Sequence, residues 1–378
     1  MWRNTWLTSL TDLSPLRTGL SAMGIMACMA VNGQARPVLH TAPAPADTKP
    51  ATELQYGLPA ACIAHVIAVP LLTNSGSPII PVTFNATQGL AYVSATQDRV
   101  GVYAAEAQDY PVESSIDILT IAGEGITYTT TLEHMRINNG TADKVPAVLE
   151  GIGQPHINAQ PVLGVIGYDV LNNYDVLFDF PARRMVLFRL REDANAACPP
   201  LREWLGPDST ALPLLPDGMG RMTGVAMQVG DHAVEMEIEP GADVSSLSRK
   251  DARMLGLTNA ILHDDMHVRT NAGRILNGRR HHFDAVTLGT WRNQPLDVNV
   301  EKTSYSILGM NFLRRRRILM AFPQDMIFMT PQQDMPDDRG PATHGMLSTR
   351  TAIARMVEVP SPPAGGGTQA QPGNPPSP

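Results

Sequence analysis

Apolar and polar positions alternate through most of the chain with the period of two that a half-buried β-strand requires. Val234, Met236 and Ile238 alternate in this way, and so does the stretch from Ile116 to Ile121. Val66–Val69, Ile79–Val82 and Met185–Phe188 read as further strands of this alternating apolar kind. Further strands are expected at Gly224–Val229, His282–Leu288 and Ile327–Phe328. Helical periodicity is confined to short stretches. The clearest starts at Ser248, an N-cap residue type, and carries Ala252, Leu255 and Leu257. Many short strands punctuated by Gly, Pro and Asn predict an all-β, barrel-like architecture with few short helices.

The pattern occurs twice. Pro81–Asn85, Leu90–Val93 and the triplet Ser94, Ala95, Thr96 are followed far downstream by Val165–Leu171 and a strand at Val176–Phe180. In the second half, Ala226–Gly230, Val234–Ile238 and the triplet Glu239, Pro240, Gly241 are followed by Ile307–Leu313 and Ile318–Phe322. The closing segments agree best. GYDVL with VLFDFPARRMVLF (167–171, 176–188) stands against GMNFL with ILMAFPQDMIFM (309–313, 318–329). Each copy reads apolar-apolar-Gly-x-Asx-x-Leu, then a strand, Phe-Pro and another strand.

A strand that ends in a tight turn at Pro240–Gly241, with Ile307, Leu308 and Gly309 packed behind it, resembles the retropepsin-like and pepsin-like aspartic proteases. The resemblance covers about Ala64–Met329. It implies two retropepsin-like (acid protease) β-barrel lobes in tandem, in a pepsin-like bilobal arrangement. The lobes are expected at residues 61–197 and 214–330, joined by a linker at 198–213. In that family each lobe contributes an Asp, the two carboxyls share a proton, and they act in turn as base toward water and acid toward the scissile carbonyl.

Carried onto this chain, the Asp positions fall on Ser94 and Glu239. The following hydroxyl positions fall on Ala95 and Pro240, and the glycine positions on Thr96 and Gly241, with Gly167 and Gly309 behind the turns. One carboxyl is replaced by a hydroxyl, and the other is lengthened by a methylene. The resemblance therefore implies the scaffold without its two-carboxyl chemistry. It also implies hairpin flaps over the cleft. Lobe 2 offers Val268–Phe283, tipped by Asn271, Ala272 and Gly273, and lobe 1 offers Ile126–Asn139. Asp169 and Asn311 are expected to hydrogen-bond to their turns, Asp243 is expected as a polar residue of the turn or helix entry, and Asp98 is a candidate to pair with an arginine across the lobe interface. His281 and His282 alternate faces of one strand, so no metal site and no cofactor is expected.

Composition adds compartment rather than chemistry. With a net charge of −7 and 17% charged residues over 378, the chain has no basic surface that would suit nucleic acid. The run Arg314–Arg317 is expected as a solvated face. Arg3 and Arg17 precede an uncharged stretch, Leu20–Val31, which is too short to span a bilayer and reads as the core of an export signal over residues 1–30. Cleavage after Ala30 or Ala35 gives a free periplasmic protein. Lipidation at Cys28, in Ile25–Cys28, gives one anchored in the cell envelope. Residues 31–60 read as a Pro/Ala-rich tether and 331–378 as a disordered tail. Cys62 and Cys198 flank the first lobe. Export permits a disulfide between them, the alternative being two buried thiols.

Three functional expectations follow. The first is a degenerate, exported aspartic-protease-like protein that holds an extended peptide or protein segment in its inter-lobe cleft. The second is an atypical aspartic-type endopeptidase working through Glu239. The third is an envelope protein anchored at Cys28, with the lobes as an assembly surface.

Overall fold

The computed structural model describes residues 37–40, 54–73, 76–103, 110–151, 156–157, 159–191, 198–272, 274–334 and 355–358. The export segment with Cys28, and most of the expected tether and tail, lie outside the described residues.

The first half forms strands β1 (Ile63–Pro70), β2 (Ile79–Phe84), β3 (Thr87–Val93), β4 (Val100–Tyr103), β5 (Ser115–Thr120), β6 (Gly123–Ile137), β7 (Gly140–Glu150) and β8 (Gln160–Ile166). A one-turn helix, α1 (Tyr168–Leu171), and strands β9 (Asp175–Asp179) and β10 (Arg184–Leu190) follow. Strands β3, β2, β6, β7, β4 and β8 pair in that order, and β8 returns to β3, so the sheet closes into a barrel. Closure removes the free edges that so many short strands would otherwise expose.

The second half repeats this plan. Its strands are β11 (Thr210–Pro213), β12 (Met222–Val229), β13 (His232–Ile238) and β14 (Ser246–Ser248). Helix α2 (Arg249–Met254) precedes β15 (Met266–Asn271), β16 (Ile275–Leu288), β17 (Trp291–Glu301) and β18 (Ile307–Leu308). Helix α3 (Met310–Leu313), β19 (Arg317–Ala321) and β20 (Met326–Met329) close it. The order β12, β13, β18, β14, β17, β16 returns to β12 and gives the second barrel. Ser248 caps α2 as its sequence predicts, its hydroxyl accepting the Asp251 amide.

Between the barrels lies a six-stranded antiparallel sheet in the order β11, β20, β19, β9, β10, β1, three strands from each half. Its central pair, β9 and β19, is in register about Leu177 opposite Leu319. One face joins an apolar core that runs through both barrels, from Ile80, Val93 and Ile166 to Met236, Ile238 and Leu308. The other face packs Leu177, Phe188, Leu319 and Phe328 against Trp204, which stacks on Phe188 with ring centroids 5.9 Å apart. The Cys62–Cys198 disulfide sits in this second layer and bridges a sequence separation of 136.

Four segments differ from the sequence expectation. The tether 31–60 is not wholly free, because Leu39 is buried, the Tyr174 hydroxyl donates to its carbonyl at 2.9 Å, and His40 bridges Thr141. The linker 198–213 is itself built, supplying a short helix at Leu201–Trp204 and the outer strand β11. The tail contributes β21 (Arg355–Glu358), which pairs antiparallel with β15. The arginine run is not a solvated face. Arg316 is 4% exposed, stacks on Trp291 and Phe312, and donates to the Phe312 and Thr330 carbonyls. Burial lowers its guanidinium pKa to about 10. A run of four consecutive arginines hides this, since the hydropathy of arginine does not record the aromatic faces that receive it.

Candidate functional site at the junction of the two barrels

Strands β3 and β13 end at Val93 and Ile238, and each turn is held from behind by its own copy of the closing motif. The Ser94 amide donates to the Ile166 carbonyl at 3.1 Å, and the Glu239 amide donates to that of Leu308 at 3.0 Å. Helix α1 docks through Tyr168 onto the Gln97 carbonyl and Asp169 onto that of Asp98. Helix α3 docks through Met310 onto the Ala242 carbonyl and Asn311 onto that of Asp243. The glycines before these helices allow the approach. A Cβ at Gly167 would lie 2.5 Å from the Arg99 carbonyl oxygen, and one at Gly309 would lie 2.4 Å from that of Val244. The Asx side chains finish the turns. Asp169 accepts the Val170 and Val100 amides, and Asn311 accepts the Ser245 amide and hydroxyl. Burial raises the Asp169 carboxyl to about 7.

Ser94 and Glu239 face each other at the centre, each 4% exposed. Ser94 Oγ donates to Glu239 Oε2 at 2.9 Å, and the Thr96 amide donates to the same oxygen at 2.8 Å. The Thr96 hydroxyl and the Gly241 amide add two further bonds. Ser94 Oγ in turn accepts the Gln97 amide at 3.1 Å. The extra methylene of Glu239 thus lets one carboxyl bond to the turns of both barrels. Desolvation raises its pKa, and the bonds from Thr96, Ser94 and Gly241 work against that rise. Ala95 and Pro240 are buried and supply no hydroxyl.

Two further ties cross between the barrels, from Ser77 and Arg221. The Ser77 hydroxyl donates to the Gly241 carbonyl at 2.8 Å, with Asp243 Oδ1 at 3.4 Å. Arg221 donates to the Thr96 carbonyl and is oriented by Asp217 at 2.6 Å. Each barrel therefore grips the turn of the other. Glu237, two residues before Glu239 on β13, lies 3.9 Å from Arg221, and burial pushes its carboxyl up to about 8. The Tyr305 hydroxyl is hydrogen-bonded to the Thr96 side chain, and burial together with Glu237 and Glu239 pushes its pKa up. Sequence reasoning missed Ser77, Arg221 and Tyr305, which carry no motif. The one usable signal is that Ser77 and Arg221 each precede β2 or β12, the first strand of the hairpin whose second strand ends in a turn.

Both flaps reach this centre. The β5–β6 hairpin ends in Ile121 and Ala122, whose side chains pack with Ala242, Ala272, Leu276 and Ile307. The Ser304 amide donates to the Ile121 carbonyl at 2.9 Å. This corrects the lobe 1 expectation of Ile126–Asn139. The hairpin turns earlier, at a position closed by Gly123 with φ 129°, and residues 126–137 continue β6. In lobe 2 the β15–β16 hairpin turns where expected. Asn271 ends β15, Ala272 is 3% exposed with its amide on the Arg274 carbonyl, and Gly273 lies outside the described residues.

Beside the turns, a cavity of about 370 Å³ lies between the lobe 1 flap and the second barrel. Ile116, Ile118 and Ala122 line one wall, Gln97, Arg99 and Glu150 another, with Thr96, Arg221 and Tyr305. Glu150 accepts Gln97 Nε2 at 2.8 Å, and burial raises its carboxyl to about 7. Ser94 and Glu239 are not among the lining residues, so Thr96 and Tyr305 stand between them and the cavity. The remaining candidates are elsewhere. Asp98 pairs with its neighbour Arg99 at 3.6 Å, while His281 and His282 bond separately to Asp265 and Asp297.

Residues 225–315 match the family described as "gag-polyprotein putative aspartyl protease". No curated protein matches the chain. Among solved structures, the aspartic proteinase from Irpex lacteus is similar at 10% identity and TM-score 0.45, covering 73% of this chain and all of that one.

Proposed function

We propose that this chain, aspartic-protease-like in fold and with an aspartyl-protease unit at residues 225–315, works as a binding protein for an extended peptide or protein segment rather than as a two-carboxyl peptidase. The observation that carries the reading is the Ser94–Glu239 hydrogen bond of 2.9 Å. A dyad needs one carboxyl to hold a proton while the other activates water. Here the second position is a hydroxyl, and donors from both barrels saturate the single carboxyl. A water at this centre would find no free carboxylate oxygen as its base.

The cavity supports binding. Its flap wall offers the alternating side chains of β5, and an extended segment can pair with strand edges while its side chains fill apolar pockets. The Cys62–Cys198 disulfide fits an exported protein, periplasmic or anchored in the envelope. The test uses fluorescent peptides of varied sequence, assayed at pH 4 and pH 7 for both binding and cleavage. Saturable binding with intact peptide is the expected result. Cleavage at acid pH that a pepstatin-type inhibitor blocks would overturn it.

A second reading keeps an enzyme, and Glu237 favours it. Its carboxyl is 6% exposed, bears on Glu239 electrostatically, and stays protonated toward pH 8. Glu237 and Glu239 together could supply an acid and a base behind Tyr305, giving an atypical endopeptidase. Loss of cleavage in Glu239→Gln and in Glu237→Gln would support this reading. Cleavage retained in full by Glu239→Gln excludes it.

A further inference from the structure

Away from the junction, on the outer side of the second barrel, a groove of about 700 Å³ lies between α2 with the loop after it and one face of the β15–β16 hairpin. The hairpin register pairs His267 with Arg279 and Arg269 with Asn277, which puts these four side chains on one face. Helix α2 brings Arg249 and Arg253, spaced i and i+4, to the same groove. Arg249, Arg253, Arg279, His263 and His267 all line it, and no Asp or Glu does.

The nearby carboxylates are engaged elsewhere. Asp251 bonds to the Ser248 and Ser306 hydroxyls, Asp264 to His263, Asp265 to His281, and Glu301 to Thr270 and Ser246. Arg279 is fixed in place by the His263 and Asp265 carbonyls at 2.9 and 2.7 Å. Among the described residues, the guanidiniums of Arg249 and Arg253 have no hydrogen-bond or ion-pair partner, and only the Arg253 carbonyl is bonded, at the end of the helix. Two like charges one helical turn apart repel, and a short helix gains nothing from the arrangement unless an anion lies between them.

We propose that this groove binds a phosphate-bearing anion. Three guanidiniums converge on one concave surface, a charge that a single carboxylate does not balance and a di- or trianionic phosphate does. The planar fork of arginine matches phosphate oxygens in pairs. The volume falls within the range of small-molecule sites, and so exceeds what one inorganic phosphate needs. The site is separate from the inter-lobe cavity and does not depend on whether that cavity holds a peptide.

The test measures binding of inorganic pyrophosphate by titration calorimetry, and binding of vesicles containing phosphatidic acid, a phosphomonoester that carries up to two charges, against vesicles of phosphatidylcholine alone. Wild-type protein is compared with R249Q/R253Q, with N277E, which places a carboxylate in the groove, and with the remote surface variant R136Q. All four substituted positions are exposed. The expected result is at least tenfold weaker binding in R249Q/R253Q and in N277E, with R136Q unchanged and affinity falling as salt rises. Pyrophosphate binding without vesicle binding marks a soluble phosphorylated ligand. Preference for phosphatidic acid vesicles without pyrophosphate binding marks a lipid headgroup. Failure of both probes to bind, or equal binding by wild type and R249Q/R253Q, overturns the proposal.

Discussion

Ser94 Oγ stands 2.9 Å from Glu239 Oε2, so the two barrels meet through a hydroxyl and a carboxyl where two carboxyls would have to share a proton. This relation predicts the effect of restoring the acid. Ser94→Asp places a second carboxylate against a buried first one, which costs about 3 kcal/mol of stability near neutral pH because neither charge is solvated. At pH 4 one proton shared between them removes most of that cost. Urea unfolding of the variant and wild type at both pH values measures it. An equal loss at pH 4 and pH 7 would show that the two side chains do not interact.

The buried carboxyls predict an acid-stable protein. Glu150, Asp169, Asp175 and Glu301 are raised by burial to about 7, and Glu237 to about 8. A folded-state pKa above the unfolded one means that the unfolded chain releases its proton first. The stability these groups contribute is full below about pH 4, falls as pH rises between the unfolded and folded values, and is lost by about pH 8. The unfolding free energy measured in urea should therefore decline from pH 5 to pH 8, by an amount on the order of a few kcal/mol. Asp175 isolates one contribution. It is 2% exposed, its Oδ1 has no hydrogen-bond partner among the described residues, and desolvation alone raises it. Asp175→Asn should be more stable than wild type at pH 8, by roughly 1–3 kcal/mol, and near neutral at pH 4. No gain at pH 8 would refute this account of Asp175.

Much of this architecture was legible in the sequence because it is repeated. The Gly167 and Gly309 motifs predicted two equivalent lobes, and equivalent hydrogen bonds from Ser94 to Ile166 and from Glu239 to Leu308 now define them. What the sequence concealed are contacts between residues distant in the chain and without a periodic signature. Ser77 on Gly241, Arg221 on Thr96, and Tyr305 against Thr96 are each made by lone polar residues whose partners lie in the other barrel. The lobe 1 flap was misplaced for a local reason. Its turn at Ile121–Ala122 is apolar, because the tip is buried against Ala272 and Ile307 instead of facing water.

The paired glycines behind the turns predict a steric effect at a position where backbone angles allow any residue. Gly309 has φ −97°, so alanine would not strain its backbone. The added Cβ would nonetheless meet the Val244 carbonyl at 2.4 Å, and rigid backbone cannot yield as a flexible side chain can. Gly309→Ala should cost about 2–3 kcal/mol, the range of an overpacked core. Gly218→Ala, with nothing within 4 Å of its Cβ position, should change stability by less than about 0.5 kcal/mol. Thermal or urea unfolding of both variants checks the contrast. Similar small effects in the two would mean that the turn and α3 are free to separate.

The Cys62–Cys198 disulfide offers the largest single change. It joins the start of β1 to the segment entering the second half across a sequence separation of 136. Cross-linking so long a loop restricts the unfolded chain, and the chain-entropy estimate is about 5 kcal/mol. Cys62 is also 3% exposed and packs with Leu177 and Phe188, so removing the sulfurs opens space in that layer. Two experiments separate the contributions. Reduction of the wild type keeps both sulfurs and breaks only the cross-link, whereas Cys62→Ala/Cys198→Ala also removes their volume. Unfolding in urea should shift by about 5 kcal/mol on reduction, and by roughly 1 kcal/mol more in the double variant. A reduced protein as stable as the oxidised one would mean that the six-stranded sheet holds the two halves together without the cross-link.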